Sequence, residues 1–468
     1  MNFDRNSFSK ETVTAAGHAL KIRAWRDLVY VEKPVNPAFQ RMNLYVPEDY
    51  YQGKKINGYD LHSAPIFMPN GVGGYMPGEA LEPGERSRMG ITEPNTVFRA
   101  LQHGYVVAAP AIRGRSQKDE RGFYTGKAPA CIVDYKAAVR YLRQFAQDIP
   151  GDTEKIITNG TSAGGALSSL MGATGDHPDY EPYLEAIGAA KASDRIFAAS
   201  CYCPIINLDN ADTAYEWQFV GVNDYHRAKP ALGEDGQIHW VPDEGRMSKL
   251  QILVSQELSR LFPAYLNGLC VKDEDGNVLT LDAGGEGSFL EYMKKVVLKS
   301  AQRALDEGAD LSGKTWLTVK EGRALSMDWK AYVKDITRMK CAPSFDFLSM
   351  DSTENDLFGS AEEACMHFTD YSKNYSLKGG LMADEKIVKM MNPMHYIFDE
   401  KAATAEHFRI RHGERDRDTS LAISAIFSLK LAESGCRVDY HSPWDVPHDG
   451  DYDLEELFVW VDGICLEQ

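Results

Sequence analysis

Apolar and polar positions change their period twice along this chain. In the first part "LKIRAWRDLVYV" and "FQRMNLYVP" alternate apolar with polar residues and carry β-branched and aromatic side chains, which predicts strands. "APIFM" is a short apolar run that breaks into a Gly/Pro loop, "PNGVGGYMPG". Helical spacing follows around "NTVFRALQHG", closed by Gly104, and then a buried strand, "YVVAAPAIRG". "IVDYKAAVRYLRQFA" predicts a helix, "KIITNG" a strand, "ALSSLMGATG" a helix and "RIFAASCYCPI" a strand. Fully apolar strands alternating with helices predict a mostly parallel sheet covered on both faces.

The pattern then shifts. Residues 207–395 read as mainly helical and charged, with candidates at "MSKLQILVSQELSRLF" and "FLEYMKKVVLKSAQRALDEG". A hairpin is expected at "KDEDGNVLTL", where Asp275-Gly276 is a strong turn signal. Alternation returns near residue 406 with strand "EHFRIRHG", helix "SLAISAIFSLKLAESG", strand "CRVDYHSP" and a closing helix from "DLEELFVWVDGI". The expected layout is therefore an α/β core built from 1–206 and 396–468, interrupted by a helix-rich lid at 207–395. No internal repeat or low-complexity tract interrupts this order.

With 468 residues the chain can bury a large core, and no run approaches the length of a transmembrane helix. The start, "MNFDRNSFSKETVTAAGH", lacks the basic and apolar regions of a signal peptide, so a cytoplasmic protein is expected. A balance of 51 basic against 68 acidic residues opposes nucleic acid and anionic membranes as partners. The eight cysteines show no CxxC pair and no His at zinc spacing. Cys201 and Cys203 alternate across a strand, and all are expected to be reduced, structural thiols.

Candidate chemistry centres on "KIITNGTSAGGALSS", in which Gly160-Thr161-Ser162-Ala163-Gly164 matches G-x-S-x-G between a strand and a helix. A nucleophile on so tight a turn needs small neighbours two places away. The helix N-terminus and the Ala163 N–H then face the developing oxyanion. In an α/β-hydrolase the acid and the histidine follow in that order. "FRIRHGERDRDTS" offers Glu414, Asp416 and Asp418, and "DYHSPWDVPHDGDYDL" offers His448 just before the last helix. Asp416 and Asp418 are not separable by spacing; either also suits the N-cap of the helix near Thr419. His412 and His441 sit at strand ends and read as core or loop histidines. His448 is preferred because its loop can fold over the carboxyl ends of the strands. Gly73 and Gly74, in the loop after "APIFM", are placed to supply the second oxyanion donor. "DGDYDLEE" lacks the glycine a calcium loop needs, since Leu454 stands there, and "DEDGN" is a hairpin tip, so no metal is expected.

The chain also resembles the bacterial tannases, serine esterases that release gallic acid from gallate esters. The resemblance runs through "PNGVGGYMPG", "NGTSAGG", "MKCAPSFDFLSMDSTENDLFG", "RHGERDRDTS" and "DVPHDGDYDL"; the last three are the specific ones. It implies Ser162, Asp416 and His448 as the triad. It also implies Lys340, Glu354 and Asp418 as the groups that hold the three galloyl hydroxyls. Carboxylates accept from phenolic O–H groups and a lysine contacts a phenol oxygen, so the set is chemically sensible. Gly71 within the oxyanion loop and a cysteine after Lys340 depart from the family pattern. The expected partner is a small galloyl ester, with no cofactor and a monomer or weak homo-oligomer. The rival readings are a feruloyl or general carboxylesterase, a serine peptidase, and an inactive hydrolase fold used for binding.

Overall fold

The computed structural model describes residues 1–88, 90–232 and 238–466, with side chains left aside at 229–232 and 238–240. The strands in chain order are β1 (Ser9–Ala15), β2 (His18–Val29), β3 (Arg41–Pro47), β4 (Pro65–Pro69), β5 (Glu85–Arg88) and β6 (Ile91–Pro94). Then come β7 (Val106–Pro110), β8 (Asp152–Thr161), β9 (Ala198–Tyr202), β10 (Asp224–Leu232) and β11 (Ile238–Arg246). The last four are β12 (Leu317–Lys320), β13 (Arg323–Met327), β14 (His407–Arg411) and β15 (Arg437–His441).

Nine of these form one sheet in the order β1-β2-β3-β7-β4-β8-β9-β14-β15. From β7 onward the pairs are parallel, while β1, β2, β3 and β7 pair antiparallel. The parallel strands are the apolar runs of the sequence: every residue of β4, β7, β9 and β14 is buried. Arginines fit inside β14 because Asp453, behind the sheet's end, pairs with Arg409 and Arg411. The edge strands β1 and β15 are half exposed and correspondingly polar.

The sheet leaves β9 at Tyr202 and resumes at His407, with β9 and β14 side by side. The intervening chain contains the long helices Lys249–Leu269 and Ser288–Asp306, where helical spacing put them. It also holds the hairpins β10–β11 and β12–β13, which the apolar pattern did not mark. The turn at Asp275-Gly276 forms, but it is followed by a single bridge, Lys272 to Val278, rather than a ladder. Leu279 and Leu281 turn into the core there, and Leu281 N–H donates to the Asn267 side chain. Sheet and intervening segment share one continuous apolar core, from Trp25 and Phe67 to Trp217, Phe289, Trp329 and Phe458. No described helix is long and apolar enough to cross a membrane.

Candidate active site

Strand β8 ends at Thr161 and the helix Ala163–Ala173 starts one residue later, which leaves Ser162 alone at the corner with φ 60° and ψ −119°. A non-glycine residue there is strained, and the corner is held by its surroundings. Ser162 N–H donates to Tyr202 O at 3.0 Å, and Ser162 O accepts from Ala166 and Ile205 N–H groups. The glycines allow this closeness. A Cβ on Gly160 would run into Gly164 O, one on Gly164 would lie 2.5 Å from Asn70 Oδ1, and one on Gly165 2.5 Å from Tyr202 O. Ala163 N–H is the first of the helix N–H groups that have no acceptor within the helix.

Asn70 ties the glycine loop after β4 to this corner. Its side-chain amide donates to Asn159 O and Gly164 O, both at 3.1 Å, and its Oδ1 accepts from Val72 N–H at 3.3 Å. Gly73 and Gly74 follow directly, Gly74 with φ +52°. Gly74 O accepts from Arg115 Nε at 2.8 Å, and Arg115 pairs with Asp356. Lys127 pairs with the same carboxylate. Asp356 lies on the short helix Thr353–Leu357, which also carries Glu354; Thr353 reaches the position a Cβ on Gly74 would touch. The intervening segment is thereby pinned to the glycine loop.

The acid and histidine loops are laced together by their backbones. His412, Glu414 and Arg415 N–H groups donate to His441 O, Pro443 O and Val446 O. Gly413 permits the approach, since a Cβ there would meet Val446 O. Asp416 is buried, and its Oδ2 lies 2.8 Å from His448 Nδ1. Its Oδ1 accepts from Asp418 N–H at 2.8 Å, an Asx turn that fixes both aspartates in one loop. Burial alone would raise the Asp416 pKa, but the facing imidazoles of His448 and His412 hold it below the usual value. Burial opposes charge on His448, yet Asp416, followed by Cys203 and Asp418, outweighs it and raises its pKa well above 6.5. His412 is fully buried, bonded through Nδ1 to Ser424 Oγ at 2.9 Å, and burial lowers its pKa. His441 lies at the edge against Asp439. The N-cap of the following helix is Ser420, which leaves Asp418 for other work.

Lys340 Nζ sits 2.5 Å from Asp418 Oδ1 and 3.9 Å from the Phe345 ring centroid. Despite the cost of burial, Lys340 holds the Asp418 carboxyl down to about 2. Asp418 and Glu354 in turn raise the lysine. Burial raises Glu354, with Lys340 opposing. One phenol sets the spacing of lysine and acid loop: Tyr215 Oη accepts from Met339 and Lys340 N–H and donates to Arg417 O at 2.9 Å. Below it Arg338 and Glu216, both fully buried, pair at 2.6 Å, and Arg338 Nε donates to Lys340 O.

Two features lie outside the sequence reading. Cys203, expected as a plain core thiol, places its Sγ 4.0 Å from His448 Nε2. The acidic run after His448 disperses: Asp449 faces Arg88, Asp451 takes bonds from Asn159 and Thr96, and Asp453 binds Tyr202 and Arg409. Tyr215 and Cys203 stand in no motif; only folding brings them to these loops.

A strained serine at the strand-to-helix corner, with an acid and a histidine on later loops at the same end of the sheet, defines the α/β-hydrolases. Known proteins narrow the class. A family model described as BD-FAE matches residues 75–215. A crystal structure of tannase from Lactobacillus plantarum is 44% identical, with 99% of each chain covered and a TM-score of 0.95. Fusobacterium nucleatum tannase is 45% identical over 99% of each chain, at 0.94. A tannin acyl hydrolase in complex with ethyl gallate is 44% identical over 99% of this chain and 98% of that one, at 0.92. Esterase LipQ of Mycobacterium tuberculosis is 33% identical over 88 residues; the match spans 19% of this chain and 20% of LipQ. The chain belongs to the bacterial tannases and is a carboxylic ester hydrolase.

Proposed function

We propose that this enzyme hydrolyses galloyl esters to gallic acid through an acyl-enzyme on Ser162. His448 takes the Ser162 proton as the oxygen attacks the ester carbonyl, and Asp416 fixes the tautomer and stabilises the imidazolium. The Ala163 N–H and an N–H of the Gly73-Gly74 loop donate to the oxyanion. His448 then protonates the departing alcohol. Water attacks the acyl-enzyme by the same route and frees the acid.

The observation that carries the substrate is the Lys340–Asp418 pair, 2.5 Å apart and two residues along from Asp416. With Glu354 beside the glycine loop, it offers two carboxylates to accept from ring hydroxyls and an ammonium to donate to a phenol oxygen. The similar enzyme bound to ethyl gallate supports this assignment. Residues 207–395 act as the lid that brings Lys340 and Glu354 over Ser162. Because they share the core of the sheet, the lid is a fixed wall rather than a flap.

The test compares methyl gallate with methyl benzoate. A pocket that reads hydroxyls favours the gallate by at least about a hundredfold in kcat/KM; equal rates would make this a general carboxylesterase. Ser162→Ala lowers kcat for both by at least about 10⁴-fold. Near-full activity of that variant would sink the mechanism.

A further inference from the structure

The imidazole of His448 is flanked on both nitrogens, and the acyl-transfer chemistry uses only one of these neighbours. Asp416 Oδ2 stands 2.8 Å from Nδ1. On the Nε2 side is the buried thiol of Cys203, at 4.0 Å, just past the end of β9. Cys203 is held there by its backbone, whose N–H donates to Arg411 O, and its Sγ donates to Asp449 O at 3.3 Å. A carboxylate behind a histidine, with a sulfur in front of it, supplies the outer-shell partner and two of the inner-shell donors of a zinc-type site, the remaining positions falling to water. Bonds of about 2.3 Å to sulfur and about 2.0 Å to nitrogen span about 3.5 Å at the tetrahedral angle. Sulfur and nitrogen, 4.0 Å apart, therefore need to close by about half an ångström. Cys203, Asp416 and His448 are the one such His/Cys/carboxylate group among the described residues.

We propose that Cys203 Sγ and His448 Nε2 form a binding site for a borderline-soft divalent cation, with Zn²⁺ as the type, that switches the esterase off reversibly. Sulfur selects thiophilic cations over Mg²⁺ and Ca²⁺, whose ligands are oxygens. The Cys203 thiol gives its proton to solvent as the metal–sulfur bond forms, and a chelator returns the enzyme to its starting state. Metal on Nε2 removes the lone pair that has to take the Ser162 proton. This consequence rests on His448 as the base; the binding itself does not.

Two readouts separate the two. Calorimetric titration with Zn²⁺ in a non-chelating buffer counts bound metal without reference to turnover, and methyl gallate hydrolysis gives the concentration for half inhibition. Wild type should bind one equivalent that Cys203→Ala lacks, and half inhibition of that variant should need at least tenfold more Zn²⁺, each relative to its own metal-free rate. Cys341→Ala, beside Lys340, and Cys270→Ala, at an exposed thiol, should keep wild-type sensitivity. Cys203→Ser keeps the size and loses the soft donor, and stands in should the alanine variant fold poorly. Wild-type binding and inhibition in the Cys203 variants would overturn the site. Loss of the bound equivalent with unaltered inhibition would overturn the switch. A wild type that binds zinc through Cys203 but never turns over an ester would instead overturn the esterase reading.

Discussion

Two aspartates two residues apart do different work because of what faces each. Asp416 is buried against His448, while Asp418 turns to Lys340 and still acts on the imidazole through space. Both negative charges stabilise the imidazolium, so its pKa lies above 6.5. Under the proposed mechanism the base form of His448 is the working form, so kcat/KM should rise with pH along a limb centred above 6.5. Asp418→Asn removes one of the two charges, and the limb should move to lower pH; an unmoved limb would contradict the coupling. Asp416→Asn should leave KM near wild type and lower kcat by about 10⁴-fold, measured with methyl gallate. At this scale Ser162, Asp416 and His448 were legible as candidates, because a motif and a chain order announce them. Lys340 and Glu354 were not legible from spacing. Each is an ordinary residue until the fold sets it beside Asp418 or Gly74, and only the family resemblance singled them out.

Among elements, the segment 338–346 that presents Lys340 has almost no regular structure of its own. Buried charge replaces it. Arg338 is clamped by Glu216, and the N–H groups of Ser344, Phe345 and Asp346 converge on Asp212. Removing one partner of so buried a pair leaves the other uncompensated, at about 3–5 kcal/mol. Glu216→Ala should therefore lower the unfolding free energy by an amount of that order, read from a lower denaturant midpoint, and raise KM for gallate esters. A variant as stable as wild type would show that the clamp carries no load. The long helices and the parallel strands were read correctly because each turns an apolar run or face into the core. The hairpins β10–β11 and β12–β13 escaped because neither contributes a full apolar face to the core; β12 and β13 are exposed along most of their length. β1 was missed for the same reason.

For the whole molecule the continuous core predicts one cooperative unfolding event. Tryptophan fluorescence, which reports Trp217 and Trp329 as well as Trp25, should change together with far-ultraviolet circular dichroism. Two separated transitions would show that 207–395 is an independent body. The succession of strands and helices along the chain was visible in the changing period of the sequence, but not the order of strands within the sheet. The contact of the interruption with the glycine loop, through Asp356 and Arg115, was not, because an ion pair between positions so far apart leaves no periodic trace. The Asx turn at Asp416 has a last consequence. With the partner of His448 and the partner of Lys340 in one tight loop, adding or deleting a single residue between them displaces both. The length of this loop is therefore as constrained as the two aspartates it carries.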